Sequence, residues 1–400
     1  MRKLLLAGVA LAGAAAYLPT AAQAQSPTFN TTSRPGKLDG AAPGSVQVNL
    51  GGTLFSGILF TSGTGDSGAA QTQNPNLLNY FRLYPNFNYA SPSGVNYGVS
   101  AEVRSVGAPQ DKGRSGNTLY WHSATGYISS DKFGKFEVGT PNDAIDQLGV
   151  GTGDDFGTGG FYSEYGWPNA TNFIASDSYD GDNPHQKLAY ISPDFSGFTF
   201  AVSYQPTAVG LNNSSSLLTY GSDGKASKDR VEGALQFSHA FGPTSVKADV
   251  GYAYASPDAN GSTIYKDVSY VQAGAVVTFA GVELEGQVNT GAFSTAGNDA
   301  GNWGGPLAKG EKDTTAYIVG VGYTMGPYSI GAQYYHLTAD ASDNGGVIGK
   351  TFTGSGEALG AGYVVGPGVS TYFDAITDTN KVAGTSKNGT GIGLGVYFSW

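Results

Sequence analysis

The chain of 400 residues contains no cysteine. Disulfides, thiolate nucleophiles and Cys-ligated metals are therefore excluded. Charge is scarce too, at 13% of residues, and the basic side is the weaker, with 21 Lys+Arg against 31 Asp+Glu. That balance argues against nucleic acid as a partner, because phosphate binding needs clustered Lys and Arg. Beyond the first 24 residues no run approaches the about 20 apolar residues of a spanning helix. Methionine is nearly absent, whereas Gly (62), Tyr (25) and Phe (20) are abundant. These three are poor choices for helix interiors. Aromatic residues suit strands, and glycine suits turns and crowded barrel walls. The composition points to an all-β chain.

The N-terminus reads as a secretory signal. Arg2 and Lys3 give a positive start, Leu4 to Leu18 is apolar and small, and Ala22-Gln23-Ala24 forms an A-x-A cleavage site. Cleavage would leave 376 residues from Gln25 and take the basic count from 21 to 19, for a balance of −12. Residues 25–44 are rich in Thr, Ser, Pro and Gly without periodicity, and read as a flexible periplasmic leader.

From Ser45 to Trp400 one pattern repeats: segments of roughly ten residues alternate apolar and polar, which sorts them onto two faces of a strand. Val95, Tyr97, Val99, Ala101 and Val103 oppose Asn96, Gly98, Ser100, Glu102 and Arg104. Val246, Ala248, Val250, Tyr252 and Tyr254 oppose Lys247, Asp249, Gly251 and Ala253. Ile392, Leu394, Val396, Phe398 and Trp400 oppose Gly393, Gly395, Tyr397 and Ser399. The connections alternate in length. Seven are short and carry turn chemistry, among them Ser91-Pro92-Ser93, Phe241-Gly242-Pro243, Ala280-Gly281 and Gly366-Pro367-Gly368. Eight are longer, near 61–79, 108–117, 140–186, 206–228, 256–267, 295–313, 341–355 and 378–388.

Fifteen connections imply sixteen strands. The expected fold is all-β: a sixteen-stranded antiparallel transmembrane barrel spanning residues 45–400, with short turns on one side and long loops on the other. Closure removes the unpaired edges that lipid cannot satisfy. A soluble sandwich of this size would split into domains with linkers, and no such boundary is visible.

Three stretches resemble the Gram-negative general porins, particularly the alphaproteobacterial type with sixteen strands. They are Phe133 to Gly139, Ser192 to Phe200, and the final strand Gly391 to Trp400. The resemblance implies an outer-membrane protein that passes small hydrophilic solutes and ions passively. It implies a third long loop folded into the barrel, and contact with outer-membrane lipid and lipopolysaccharide. Assembly as a homotrimer is implied, with Val46, Val48, Leu50, Leu394 and Val396 as candidate contacts. The ending in Phe398 and Trp400 is similar to the signal read by the barrel-assembly machinery. The usual last residue there is Phe, and here it is Trp400.

The loop at 140–186 carries eight acids and no Lys or Arg. Asp143, Asp146, Asp154, Asp155 and Glu164 are the candidates for an acidic pore constriction, since acidic side chains lining a pore favour cations. The resemblance implies basic residues on the facing wall; Arg82, Arg104 and Lys135 occupy polar-face positions. The expected channel is weakly cation-selective. Asp177, Asp180 and Asp182 are candidates for a structural calcium ion, because hard cations take carboxylate oxygens, although EF-hand spacing is absent. No other cofactor is expected.

An enzyme reading finds no support. His122, His185, His239 and His336 are scattered, with no H-E-x-x-H and no G-x-S-x-G. Gly346 to Thr351 lacks the first glycine of a phosphate loop, having Asn344 there. A sugar-specific channel would show a ladder of lumen aromatics, whereas the inward Tyr84, Tyr335 and Tyr397 look scattered.

Overall fold

A computed structural model of the chain describes residues 43–63, 75–105, 119–152, 157, 160, 185–207, 227–257, 264–294, 306–340, 349–382 and 385–400. The expected signal segment and nearly all of the leader lie outside these residues. So do Asp154, Asp155, Glu164, Asp177, Asp180 and Asp182.

Sixteen strands follow one another in chain order. They are β1 (Ser45–Gly63), β2 (Asn76–Ala90), β3 (Asn96–Ser105), β4 (Leu119–Ser130), β5 (Gly134–Gly139), β6 (Lys187–Ile191), β7 (Phe198–Thr207) and β8 (Ser227–Phe241). The second half comprises β9 (Thr244–Pro257), β10 (Val268–Phe279), β11 (Val282–Ala292), β12 (Thr314–Met325), β13 (Tyr328–Asp340), β14 (Thr351–Gly366), β15 (Val369–Val382) and β16 (Thr385–Ser399). One five-residue helix, α1 (Ala144–Leu148), lies between β5 and β6. No helix among the described residues is long and apolar enough to cross a membrane.

Each strand pairs antiparallel with its sequence neighbour, and β1 pairs with β16 from Thr53↔Ser399 to Gly63↔Gly389. The sheet is therefore a closed barrel. Ser45–Gly51 of β1 extends past the end of β16 and pairs with β2 only.

The alternation sorts residues as expected. Val99, Val202, Val250, Tyr252, Leu284, Val319 and Leu394 are exposed on the outside. Glu102, Ser203, Glu232, Gln272, Gln287, Gln333 and Asp374 are buried on the inside. Apolar outside and polar inside is the inverse of a soluble domain and the arrangement that a lipid-spanning barrel requires. The seven expected short turns all stand. The Ala280-Gly281 turn has φ of 49° and 82° at its two residues, which matches the twist of a tight hairpin.

One expected loop is corrected. The connection near 378–388 is short: β15 runs to Val382, β16 begins at Thr385, and Val382 pairs with Thr385. Asp378 and Asn380 face inward at 3% exposure each. Their outward neighbours Thr377, Thr379 and Lys381 are polar as well, so the apolar half of the alternation is missing there.

Candidate pore constriction

The segment after β5 turns into the barrel and runs along its inner wall. Gly139 has φ 114°, and its missing Cβ would lie 2.4 Å from the Ala124 carbonyl oxygen. Only glycine lets the chain leave the strand this closely. Asp143 then caps α1, its carboxylate accepting the Asp146 backbone N–H at 3.0 Å. The next donors of the first turn are met by the wall. The Ala144 N–H donates to Ser203 Oγ at 3.0 Å, and the Ile145 N–H to Glu232 Oε2 at 3.3 Å. Donors at a helix start have no partner within the helix, so acceptors must come from outside.

Packing completes the seat. Ile145, with no exposed surface, lies with Ala144 and Leu148 against Ala201, Ala234, Ala253 and Ala255. A Cβ at Gly251 would lie 2.7 Å from Ile145 Cγ1. Small inward residues on β7 to β9 thus leave room for a helix inside the barrel.

Beyond α1 the loop follows the wall from strand to strand. Gln236 donates its side-chain N–H to the Leu148 carbonyl at 2.6 Å. Asp249 accepts the Val150 N–H at 3.0 Å, and Gln287 donates to the Val150 carbonyl at 3.2 Å. Gln333 donates to the Thr152 carbonyl at 3.0 Å. Gly157 then lies against Asp374 on β15 and Gly360 on β14.

The loop's root is charged but compensated. Asp143, 1% exposed, sits 3.7 Å from Lys187 Nζ. Arg230 Nε donates to Glu232 Oε1 at 2.7 Å and Arg230 Nη2 to the Tyr270 hydroxyl at 2.9 Å. Glu137 binds Lys135 at 2.8 Å and accepts from Gln147 Nε2 at 2.9 Å.

Across the lumen, β2 and β3 carry a second charged group. Arg82 and Arg104 are register partners facing inward. Glu102 lies between them, 2.6 Å from Arg104 Nε and 3.8 Å from Arg82 Nε. The Arg82 guanidinium lies over the Tyr80 ring at 4.7 Å. All three charged residues are at most 7% exposed, so the group is a packed cluster rather than an open cleft.

The sequence-predicted residues therefore occupy three places. Arg82 and Arg104 come together on one wall. Lys135 joins the loop root through Glu137. Asp143 is withdrawn from solvent as a helix cap, and Asp146 follows it on α1, half-buried. Sequence reasoning missed Lys187, Arg230, Glu232, Gln236, Gln272, Gln287, Gln333 and the role of Asp249. Alternation marks several of these as inward, but only the register of sixteen strands brings them to one level.

The inward tyrosines are less scattered than the sequence suggests. Tyr335 and Tyr397 join Phe55, Tyr80 and Tyr372 in one cluster with Leu59, Leu78 and Ile376. None of these eight is more than 8% exposed, so they offer no aromatic rail to a passing solute.

A closed sheet with an apolar outer face, a polar inner face and a segment folded inside along its wall has the construction of a transmembrane diffusion channel. Solved structures agree on the fold. A porin of Comamonas acidovorans described as anion-selective shares 16% identity at a TM-score of 0.56, over 89% of this chain and 100% of its own. The trimer form of OmpT from Vibrio cholerae shares 12% identity at 0.53, over 89% and 100%. A mutant of Rh. blastica porin shares 15% at 0.50, over 88% and 100%. No curated protein sequence matches the chain. The sequence profile of the Gram-negative porins matches residues 8–396, and the chain belongs to that family. It is accordingly an outer-membrane porin, a channel and not an enzyme.

Proposed function

We propose that this porin passes small hydrophilic solutes and ions without a dedicated binding site, with a weak preference for cations, and that it works as a homotrimer. The observation that carries the cation preference is the charge of the inner wall that holds the loop. Inward positions of β11 and β15 bear Glu283, Glu285, Asp374 and Asp378, and none of them bears Lys or Arg. Besides the helix cap Asp143, the loop adds seven acids and no Lys or Arg. Fixed negative charge along a water-filled path raises the local cation concentration. The Arg82–Glu102–Arg104 cluster opposes it with a net charge of +1 on the far wall, which makes the preference weak and sets a transverse field.

The trimer is supported by the exposed apolar residues Val46, Val48 and Leu50 at the start of β1, which are 54%, 71% and 62% exposed. OmpT, the outer membrane protein of Vibrio cholerae with a similar fold, has a trimer form.

Reversal potentials of the purified protein in a planar bilayer under a salt gradient test the selectivity. The expected sign is that of cation preference, fading in high salt as screening shortens the reach of fixed charge. Anion preference, as named for the Comamonas relative, would overturn the proposal.

A further inference from the structure

We propose that Asp249, oriented by Gln272, is the positioning residue that fixes how far the inward loop stands from the wall, and thereby the width of the channel. The proposal rests on the loop being the channel's narrowing element.

The geometry is concentrated at Val150, where the wall holds both backbone groups of one loop residue. Its N–H donates to Asp249 Oδ1 at 3.0 Å, and its carbonyl accepts from Gln287 Nε2 at 3.2 Å. The second carboxylate oxygen of Asp249 accepts from Gln272 Nε2 at 2.7 Å. Gln272 has no exposed surface, so it holds the carboxylate in one orientation.

The wall is also cut away here. A Cβ at Gly274 would lie 2.0 Å from the Val150 carbonyl oxygen. Gly151 has φ 85°, and a Cβ there would lie 2.2 Å from the Gly286 carbonyl oxygen. Val150 and Gly151 therefore touch the wall backbone itself, and no side chain spaces them off. The other hydrogen bonds from wall to loop described above beyond α1 are neutral amides donating to loop carbonyls. Asp249 supplies a charged acceptor instead, and charged hydrogen bonds are roughly twice as strong as neutral ones.

The competing role is that of a lumen charge contributing to selectivity. Two substitutions separate them. Asp249→Asn keeps an oxygen for the Val150 N–H, and the Gln272 amide can turn its oxygen toward the new NH₂ group; geometry survives and charge is lost. Asp249→Leu keeps bulk but leaves the Val150 N–H without an acceptor. The experiment compares single-channel conductance, reversal potential and backbone amide exchange at Val150 for wild type and both variants.

The expected result is wild-type conductance and slow exchange for D249N. For D249L the single conductance level should break into a spread of levels, with fast exchange at Val150. Gln272→Leu, which leaves the carboxylate in place but unheld, should fall between them, and it substitutes if D249L does not fold. Wild-type conductance and exchange in both D249L and Q272L would overturn the proposal. So would equal shifts of reversal potential in D249N and D249L with conductance unchanged. Absence of any channel in the wild type would overturn the porin reading itself, and the proposal with it.

Discussion

The barrel's inner wall is built in two ways. On β7 to β10, level with the loop, small inward residues recur: Ala201, Ala234, Gly251, Ala253 and Gly274. On β2 and β3 they are large and mostly charged: Tyr80, Arg82, Tyr84, Glu102 and Arg104. The first wall has been emptied so that a polypeptide backbone can lie on it, and its Ser203, Glu232, Gln236 and Asp249 are spent on that backbone. The second wall keeps its charges for one another. An acid on β7 to β10 is therefore mostly an anchor, as Glu232 and Asp249 are, whereas an acid or base on the facing wall is mostly a source of field. Equal charges in one lumen do different work according to what they touch.

The largest effect that tests this contrast comes from refilling the emptied wall. Gly274→Val should push Val150 into the lumen and collapse conductance, because the nearest atom is backbone and cannot swing aside. Gly233, on the outer face of β8, has nothing within 4 Å of where its Cβ would be, so Gly233→Ala should conduct as wild type. Circular dichroism should report an intact sheet in both. If G274V conducts normally, the loop is not seated as described.

Next comes the facing wall. Glu102→Gln leaves two facing guanidiniums without their carboxylate and should move the reversal potential toward anions. The double change Arg82→Gln with Arg104→Gln should move it toward cations, with smaller changes in conductance than G274V gives. A pair of variants that alter conductance but not reversal potential would erase the distinction between anchor and field.

How much of this the sequence carried depends on which side of the wall is asked about. The strands were legible because lipid demands apolar residues at every second position, as at Val246 to Tyr254 and Ile392 to Phe398. Where a strand rises beyond that demand the signal stops, which is why Thr377 to Val382 resembles a loop. The inward set carries no such rule. Asp143, counted with the pore acids by charge alone, proves to cap α1 and to face Lys187. Lys187 and Glu232 are 45 positions apart in the sequence, yet both meet the root of α1. The inward tyrosines looked isolated for the same reason. Alternation states that a residue points inward; level and neighbours follow from register, and register is summed over all sixteen strands.

A change in packing within the loop seat should be milder than any of these. Ile145→Ala removes the side chain that fills the space above Gly251, and such buried truncations cost about 2–5 kcal/mol. Here the cost falls on docking of α1 and not on the barrel. The expected outcome is faster amide exchange over Ala144–Leu148 with unchanged heat resistance of the sheet. Loss of barrel stability together with exchange would mean that loop and wall unfold as one unit.

The smallest effect belongs to Trp400, which follows β16. Trp400 exchanges two backbone hydrogen bonds with Gly52, each 3.2 Å. Its ring stacks on Phe81 at 5.8 Å between centroids. A Cβ at Gly52 would lie 2.3 Å from Trp400 Cζ2, so the second ring of the indole fills the space that glycine leaves. Trp400→Phe keeps the backbone pair and the stacking ring and gives up only that filling. Its cost should stay near the about 0.5–1.5 kcal/mol of an aromatic pair, read from the folded fraction across urea by gel mobility. The two positions should also be coupled: Gly52→Ala is expected to be harmful beside Trp400 and nearly neutral beside Phe at 400. Equal cost in both backgrounds would show that the seam between β1 and β16 is closed by the backbone alone.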